Sequence, residues 1–465
     1  MQVQPFKNYL EEATGDKKFL RLLIITDEPE NDKEKFYTAR RFLDEVKKLG
    51  YPHYLFKISS GTTSKENGVR RFHNKDDKKG FEIDTNTVAI VRGSVVNKNS
   101  YMDFVSMLER EGACVVNNRT TINMCYDKYR ATIRLADYGV NQPKTILIND
   151  FEEPGRQIEE TDIKYPLILK TLTGSQGVGV LFIESARALT GIVQAMHKQN
   201  SDVDLLAQQY IKTDYDVRVH VLSGKILAVM KRPVIEGDFR SNVSQGSVPE
   251  KHELTELETE ESLKAAKAMN GLWTAVDFIP GKDRKKDKPY ILEVNASAGT
   301  DGIEDATGKN LSKEIIEHFA DENNRYATAT ECGHREVVSV APWGKMVGKF
   351  DTGNSVLSVI HGEDIKINKD KKEISFTLLG KRQTLPLIKM YKVKVGSIRD
   401  YTEERPVIKL DVGFAGGIYK GEMFGVDDRS DMGTEVLLTR RLMKRMNVMV
   451  NPAKKYVITT KYSLD

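Results

Sequence analysis

The chain has 465 residues, of which 39% are hydrophobic and 30% are charged. This length suits two or three globular domains, and a net charge of +4 is too small to predict nucleic-acid binding. No apolar run reaches the roughly 18 residues of a membrane span, and the N-terminus lacks the apolar core of a signal peptide. Three widely spaced cysteines, Cys114, Cys125 and Cys332, predict reduced thiols and no zinc site. We therefore expect a cytoplasmic protein without nucleic-acid or membrane partners.

The first 115 residues have the pattern of a small α/β domain. Continuous apolar runs alternate with segments whose apolar residues recur at helical spacing, which predicts a βαβ arrangement with parallel strands. Strands are predicted at residues 19–26, 54–58 and 86–92, and helices at 33–49 and 100–111. Residues 60–82 are polar, basic and rich in turn formers, and they predict a mobile loop.

Residues 116–320 contain the motifs that point to chemistry. A predicted strand ends with Glu293 and Asn295 two positions apart, so both side chains point to the same face. Asp277, on a predicted neighbouring strand, offers a third oxygen ligand. Because Mg²⁺ binds clustered protein oxygens together with phosphate oxygens, these three residues predict a metal site.

A phosphate-binding segment is predicted upstream of the metal site. Lys170 ends an apolar strand and precedes a glycine-rich loop that contains Gly174, Ser175, Gln176 and Gly177. Glycine lets the backbone N–H groups of such a loop turn toward phosphate. A strand and not a helix is predicted after the loop, so the pattern differs from the dinucleotide-binding fingerprint. A simple hairpin turn is the other interpretation of the loop when it is considered alone.

Taken in chain order, these motifs resemble the ATP-grasp superfamily and, within it, the ribosomal-protein glutamate ligases of the RimK type. The resemblance covers residues 86–320 and depends mainly on three stretches, GSQGVG at 174–179, EGDFRSN at 236–242 and NASAGTDGIE at 295–304. It implies an α/β (α+β) ATP-grasp domain over residues 116–320, preceded by the N-terminal βαβ domain. The implied cofactors are ATP and Mg²⁺ or Mn²⁺.

The resemblance also implies roles for individual residues. Lys128 and Lys170 would bind phosphate, Asp216 would face the ribose, and Asp277, Glu293 and Asn295 would ligate two metal ions. The other implied nucleotide contacts are Gln209, Tyr210, Ile211 and Lys212 at the adenine hinge, and Arg218, Arg240, Ser241 and Asn242 at the γ-phosphate. The chain departs from the family pattern at Gln209, where Glu is usual, and at Ala298, where Pro is common.

The implied reaction joins a carboxylate to the amine of a free amino acid, by resemblance glutamate. The acceptor carboxylate attacks the γ-phosphate to form an acyl phosphate, and the amine then displaces phosphate. Arg218, Arg240 and Asn242 would stabilise the charge that develops on the transferring group. The favoured acceptor is the C-terminus of a protein or peptide. A small-molecule acceptor and a non-enzymatic nucleotide-binding scaffold stay open as alternatives.

The last third of the chain has a different sequence pattern. After a linker-like segment at residues 321–331, short alternating strands with frequent glycine predict an all-β barrel over residues 332–465. The Asp-Thr-Gly segment that begins at Asp351, together with residues 333–336 and 428–440, resembles the retropepsin-like peptidases of the RimB type. Asp351 would be the peptidase carboxylate, and two copies of the chain would be needed because each supplies one such loop. Asn354 and Thr439 depart from the family pattern, so a catalytically silent binding or regulatory domain stays open.

The fusion of these two resemblances suggests a chain that adds residues to an acceptor and trims the product or binds the acceptor. Basic loops at residues 65–79 and 282–288 could steer an acidic polypeptide, although solvated loops are the simpler interpretation. Both resemblances predict a homo-oligomer.

Overall fold

The computed structural model describes residues 20–66, 68–172, 179–235, 248–325, 330–394, 402–415 and 417–460. By spatial contact the chain divides into two compact units, residues 1–64 with 71–326, and residues 65–70 with 327–465. Before residue 326 the strands are β1 (Arg21–Thr26), β2 (His53–Lys57), β3 (Thr62–Glu66), β4 (Val69–His73), β5 (Phe81–Ile83), β6 (Thr87–Arg92), β7 (Cys114–Val116), β8 (Thr145–Ile148), β9 (Leu167–Thr171), β10 (Val180–Ile183), β11 (Leu205–Gln209), β12 (Tyr215–Leu222), β13 (Lys225–Pro233), β14 (Glu250–Lys251), β15 (Trp273–Ile279) and β16 (Tyr290–Asn295). The helices of this part are α1 (Tyr37–Leu49), α2 (Asn99–Arg110), α3 (Arg119–Tyr126), α4 (Lys128–Asp137), α5 (Pro154–Glu159), α6 (Ala186–Gln199), α7 (Glu256–Met269), α8 (Asp301–Thr307) and α9 (Leu311–Ala320).

The N-terminal part of the first unit is built on a parallel sheet in the order β2-β1-β6-β7. Alternate residues of β1 pack into two separate hydrophobic cores. Leu22 and Ile24 lie in the core on one side of the sheet, and Leu23 and Ile25 lie in the core on the other side. Burial on both faces explains why the strand is a continuous apolar run and not an alternating one. The predicted βαβ start is confirmed.

The prediction of a mobile loop at residues 60–82 is wrong. Strands β3, β4 and β5 form a small three-stranded sheet in this region. Phe72 is buried against Phe56, with ring centroids 4.9 Å apart, and Phe81 is also buried. A few aromatic residues on one face are enough to fix these strands, while the polar residues on the other face dominate the composition from which the loop was predicted.

Two antiparallel sheets form the rest of the first unit. One has the order β10-β9-β11-β8, and the other has the order β14-β13-β12-β15-β16. The predicted strand before the glycine-rich loop and the strand after it are β9 and β10, which pair with each other. The predicted metal ligands lie on the adjacent strands β15 and β16.

The second unit is rich in strands, as predicted. Its elements are β17 (Thr330–Gly333), β18 (Arg335–Val340), β19 (Gly344–Asp351), β20 (Ser358–His361), β21 (Glu363–Asn368), β22 (Glu373–Leu378), β23 (Lys381–Pro386), β24 (Lys389–Lys394), β25 (Thr402–Phe414), β26 (Gly417–Asp427), β27 (Val436–Thr439), α10 (Arg440–Met446) and β28 (Val448–Asn451). Pairing runs in the order β18-β19-β27-β20-β26-β25, and a further pairing of β25 with β18 closes a six-stranded barrel. The predicted all-β barrel is confirmed.

The composition-based expectations concern the state of the three cysteines and the presence of membrane-spanning segments. Within the described ranges, Cys114, Cys125 and Cys332 are not joined in disulfide bonds. None of the helices in the described ranges combines the length and the apolar character that crossing a membrane requires.

A buried carboxylate in the barrel unit gives a stability prediction. Glu336 accepts five hydrogen bonds, from the backbone N–H groups of Gly333, Val457, Ile458 and Thr459 and from the Thr459 hydroxyl, at 2.6–3.3 Å. Burial by itself would raise the pKa of Glu336, but these bonds hold it below its ordinary value. Glu336→Gln is expected to lower the free energy of unfolding by roughly 1.5–3 kcal/mol because it removes the charge that these donors stabilise. Urea denaturation of the full chain measures the loss.

The pH dependence of that loss has a fixed sign. Because the pKa of Glu336 is lower in the folded state, its contribution is present above the unfolded-state pKa and disappears as the pH falls through the folded-state pKa. The wild type and Glu336→Gln should therefore converge in acid. Glu404→Gln, which changes an exposed carboxylate of the same unit, is the control and should cost little at any pH. Equal stability of Glu336→Gln and wild type at neutral pH would contradict the prediction.

Candidate active site

Lys170 lies near the end of β9 and is held by a buried amide. Its Nζ donates to Oε1 of Gln208 at 2.7 Å, and Nε2 of Gln208 donates to Oγ1 of Thr145 at 2.9 Å. The bond to Thr145 orients the amide so that its oxygen faces the lysine. The sequence places Gln208 at the start of the predicted adenine hinge, but its bond to Lys170 was not predicted. An amide that follows the apolar residues of the strand was the available signal.

Lys128 approaches the same place from a helix start. It is the first residue of α4, and Asp127 caps that helix by accepting a hydrogen bond from the backbone N–H of Arg130 at 2.8 Å. Nζ of Lys128 donates to the carbonyl oxygen of Leu172 at 3.4 Å, so the helix start lies against the end of β9. The predicted position of this lysine at a helix start is confirmed.

Glu293 connects the two lysines electrostatically. Burial lowers the pKa of Lys128 and of Lys170, and in both cases the negative charge of Glu293 opposes that effect. The positive charge of Lys128 lowers the pKa of Lys170 further, to about 8. Two cations and one carboxylate from three separate segments therefore converge in one partly buried place.

The lowered pKa of Lys170 gives a pH prediction. The sequence resemblance implies that Lys170 binds phosphate, and the ammonium is the form that would do so, so ATP binding is expected to favour protonation of Lys170. The dissociation constant for ATP should stay flat below about pH 8 and rise by up to about tenfold per pH unit above it, as one proton must be taken up on binding. Titration of the protein with ATP between about pH 6.5 and 9.5 measures this. Lys170→Arg, which stays charged across the range, should remove the slope, and a flat wild-type profile would contradict the prediction.

Charged residues form a ladder across the neighbouring sheet. Arg218 on β12 lies opposite Asp277 on β15, and Asp277 lies opposite Glu293 on β16. Asp216, two residues before Arg218 and on the same face, lies opposite Arg232 on β13. The regular alternation of side chains along each strand thus brings five charges to one face of the sheet.

Asp277 is paired with two arginines. Nε and Nη2 of Arg218 donate to its two carboxylate oxygens at 2.7 and 2.6 Å, and Nη2 of Arg232 lies 3.0 Å from Oδ2. Burial by itself would raise the pKa of Asp277, but the two guanidinium groups hold it well below its usual range. Asp277 is therefore an anion at every pH at which the protein is expected to work.

Arg232 was not singled out from the sequence, although it organises this face. Its Nε and Nη2 donate to the two carboxylate oxygens of Asp216 at 2.7 and 2.6 Å. Arg232, Asp216 and Asp277 are all at most 5% exposed. The implied ribose contact of Asp216 stays a prediction; in the structure its carboxylate binds Arg232. The signal that could have identified Arg232 is its place in the alternation of β13, on the same face as the apolar residues Ala228 and Met230.

Glu293 and Asn295 form the remainder of the predicted metal platform, a name we use for Asp277, Glu293 and Asn295. Nδ2 of Asn295 donates to Oε1 of Glu293 at 2.9 Å, so the two side chains lie side by side as the strand pattern predicts. Over the described ranges no three acidic, histidine or cysteine side chains converge as a metal site. The platform instead offers two carboxylates and one amide oxygen, a hard donor set that suits Mg²⁺ when phosphate oxygens complete the shell.

The hinge segment leaves the sheet at the end of β11. The backbone N–H of Gln209 still donates to the carbonyl oxygen of Lys144 at 2.8 Å. Tyr210 packs edge-on against Phe182 of β10, with centroids 5.0 Å apart. Strand β11 ends at Gln209, so residues 210–212 follow the paired part of this strand.

Part of the predicted site lies outside the described residues. This applies to Gly174, Ser175, Gln176 and Gly177 of the glycine-rich loop and to Arg240, Ser241 and Asn242. Gly179, at the end of the loop, has φ +78°, and a Cβ there would lie 2.5 Å from Oγ1 of Thr171, so only glycine fits.

The predicted peptidase loop belongs to the second unit. Asp351 ends β19 and lies beside Thr439 of the parallel strand β27. Oδ1 of Asp351 accepts a hydrogen bond from the backbone N–H of Gly353 at 2.9 Å. Thr439, one of the departures from the family pattern, lies 3.4 Å from Oγ of Ser358 through its hydroxyl. The loop therefore has the local turn that presents a carboxylate.

Comparison with known proteins agrees with both sequence resemblances. Residues 125–319 match a family described as RimK-like ATP-grasp domain, and residues 332–461 match a family described as retropepsin-like aspartic endopeptidase RimB. A probable alpha-L-glutamate ligase of Marinomonas sp. (strain MWYL1) is 33% identical over 217 residues, which cover 46% of this chain and 70% of that protein. One from Trichodesmium erythraeum (strain IMS101) is 29% identical over 65% of this chain and 97% of that protein.

Solved structures show the same fold at low sequence identity. The ATP-grasp ligase PsnB, complexed with a minimal precursor, aligns with a TM-score of 0.50 and 17% identity over 66% of this chain and 99% of its own. The macrocyclase MdnC of Microcystis aeruginosa MRC, bound to the precursor peptide MdnA, aligns with a TM-score of 0.50 and 12% identity over 64% of this chain and 98% of its own.

Proposed function

The chain belongs to the RimK-like ATP-grasp ligases named α-L-glutamate ligases, and from this premise we propose that it adds glutamate to the C-terminal carboxylate of a protein or peptide. ATP would be converted to ADP, with Mg²⁺ as the metal. Mn²⁺ is a possible substitute because it accepts similar oxygen ligands.

The convergence of Lys128, Lys170 and Glu293 is the observation that carries the proposal. The two lysines come from a helix start and a strand end, and Glu293 comes from a third segment, yet its charge acts on both ammonium groups. An ATP–Mg²⁺ site has two requirements: cationic side chains that bind the phosphates, and oxygen ligands beside them that bind the metal.

The chain's own residues account for the steps as follows. Lys128 and Lys170 bind the phosphates, and Arg218 stabilises the negative charge that develops at the γ-phosphate. The acceptor carboxylate oxygen attacks the γ-phosphorus, the bond to the bridging oxygen breaks, and ADP leaves. The glutamate amine then attacks the acyl carbon, loses a proton, and expels phosphate.

The metal platform supports these steps. Bound Mg²⁺ would neutralise charge on the β- and γ-phosphates. Glu293 and Asn295 would hold it together with Asp277, which exchanges one of its arginine contacts to do so. Arg218, whose side chain is 21% exposed against 4% for Arg232, is the partner that can leave Asp277 for phosphate.

The test is turnover with defined substrates. Purified protein is incubated with Mg²⁺, ATP and each amino acid, with and without cell extract, while ADP release and intact protein masses are followed. ADP release with glutamate, together with protein mass steps of one glutamyl residue, is the expected result. ADP release without any protein gaining mass would favour the alternative, a small-molecule acceptor. No turnover under any condition would contradict the ligase proposal.

For the barrel unit we propose trimming of the glutamylated product by a homo-oligomer, with Asp351 as the peptidase carboxylate. The turn around Asp351 supports this, and the match of residues 332–461 to the RimB-like family agrees with it. Each chain supplies one such loop, so two copies would share the proton between their carboxylates. The reduced thiols favour action in the cytoplasm.

The Asp351→Asn variant tests this part separately. With the ligase substrates present, the variant should form longer tails than the wild type, because addition continues while trimming stops. Equal tail lengths, with unchanged binding of the acceptor, would contradict the trimming role and favour a regulatory domain.

A further inference from the structure

The segment that follows the metal platform is held by the N-terminal part of the first unit. We call residues 296–300 the platform loop, since they join Asn295 to helix α8. Nη1 of Arg92 donates to the carbonyl oxygen of Ala298 at 2.8 Å, and Nδ2 of Asn117 donates to that of Ala296 at 2.7 Å. Oγ1 of Thr38 accepts a hydrogen bond from the backbone N–H of Thr300 at 3.0 Å. Thr38 on α1, Arg92 at the end of β6 and Asn117 directly after β7 thus hold one loop.

Asn117 also fixes the neighbouring strand. Its Oδ1 accepts hydrogen bonds from the backbone N–H groups of Leu272 and Trp273 at 2.7 and 3.2 Å, and its Nδ2 donates to the carbonyl oxygen of Trp273. Trp273 begins β15, and Ala296 follows the end of β16. One buried amide therefore ties together the two strands that carry the metal platform.

The contact that Arg92 makes with the platform loop requires the burial of a charged side chain, which reduces stability. It ends β6 at the carboxyl edge of the parallel sheet and is 4% exposed. Its Nη2 lies 3.7 Å from Oε1 of Glu28, which is too long for a hydrogen bond. Within the described ranges, Nε of Arg92 and Oε2 of Glu28 are buried without a hydrogen-bond partner. An incompletely paired buried guanidinium reduces stability, and such exceptions concentrate where function requires them.

We propose that Arg92, Asn117 and Thr38 are positioning residues for the metal platform, and that together they set the affinity of the platform for metal. The inference rests on the proposed metal site. Ala296 and Ala298 follow Asn295 by one and three residues, so a shift of their carbonyl groups moves the amide oxygen that faces the metal. Mg²⁺ tolerates little departure from octahedral geometry, and side chains that orient metal ligands commonly change metal affinity by 10–100-fold.

The test compares Arg92→Lys with Arg21→Lys in the full chain. Arg92→Lys keeps the charge but cannot place a guanidinium donor at Ala298, whereas Arg21 pairs with Asp84 at the opposite end of the same sheet. Mn²⁺ binding in the presence of ADP is measured by electron paramagnetic resonance, which requires no turnover. We expect about a tenfold weaker Mn²⁺ affinity in Arg92→Lys and no change in Arg21→Lys.

Steady-state kinetics separate positioning from general damage. In Arg92→Lys the Mg²⁺ concentration for half-maximal ADP release should rise by a similar factor, while the maximal rate at saturating Mg²⁺ stays close to the wild-type rate. A structural defect would lower the maximal rate and would not be rescued by Mg²⁺.

Each outcome decides one point. If Arg92→Lys binds Mn²⁺ like the wild type while Glu293→Gln loses binding, the positioning role is overturned and the metal site stands. If Glu293→Gln also binds like the wild type, the metal platform itself is wrong. If Arg92→Lys does not fold, Thr38→Val decides, because it removes only the contact to Thr300; unchanged Mn²⁺ affinity in that variant overturns the inference.

Discussion

Glu293→Gln is expected to lower the rate of ADP release by at least about a hundredfold. A bound metal ion contributes several kcal/mol of charge stabilisation at the transferring phosphate, and each 1.4 kcal/mol is about a tenfold change in rate. The substitution removes one negative charge from the proposed metal site but keeps the shape of the side chain and its ability to bond Asn295, which lies 2.9 Å away. It also removes the charge that favours the protonated forms of Lys128 and Lys170.

The measurement is ADP release at saturating ATP and glutamate over a range of Mg²⁺ concentrations. Glu250→Gln is the matched control, because Glu250 is an exposed carboxylate on the edge strand β14 of the same sheet and pairs only with Lys231 in the described structure. The control should keep wild-type activity. Activity of Glu293→Gln within threefold of the wild type would show that Glu293 is not a metal ligand.

Arg232→Met is expected to destabilise the first unit by about 3–5 kcal/mol. The substitution leaves Asp216 without its bidentate partner and takes one of two cations from Asp277, and both carboxylates are buried. Removing one partner from a buried ion pair costs this much because an uncompensated charge remains in the interior. Arg156→Met, at an arginine that is 54% exposed and pairs with surface acids, should leave the stability nearly unchanged.

Tryptophan fluorescence can isolate the unit that Arg232 stabilises. The chain has two tryptophans, Trp273 in the first unit and Trp343 in the second. In a Trp343→Phe background, urea denaturation reports the unit that contains Arg232. Adding Asp216→Asn to Arg232→Met should recover part of the lost stability, because it neutralises the stranded carboxylate. If Arg232→Met leaves the urea denaturation midpoint unchanged, the expected contribution of Arg232 and its paired carboxylates to stability is contradicted.

The site could be predicted from the sequence where its chemistry is local. A strand that ends in Lys170, a glycine-rich loop and a second strand are contiguous, and their patterns follow from the alternation of side chains and the conformational freedom of glycine. The same applies to Lys128 at a helix start and to the spacing of Glu293 and Asn295. The N-terminal βαβ domain and the β-rich last third could also be predicted, because their strands and helices follow from local sequence patterns.

Only the tertiary structure decided which side chains bind one another. Gln208 meets Lys170 across 38 residues, Arg232 meets Asp277 across 45, and Arg92 meets Ala298 across 206. These contacts depend on which strands are neighbours and in which register, and a one-residue change of register would turn each side chain to the opposite face. The loop predicted at residues 60–82 became a sheet for the same reason, since Phe72 finds its partner, Phe56, on a strand outside the segment. Local sequence thus determined the chemical groups of this protein, and long-range strand pairing determined how they are combined.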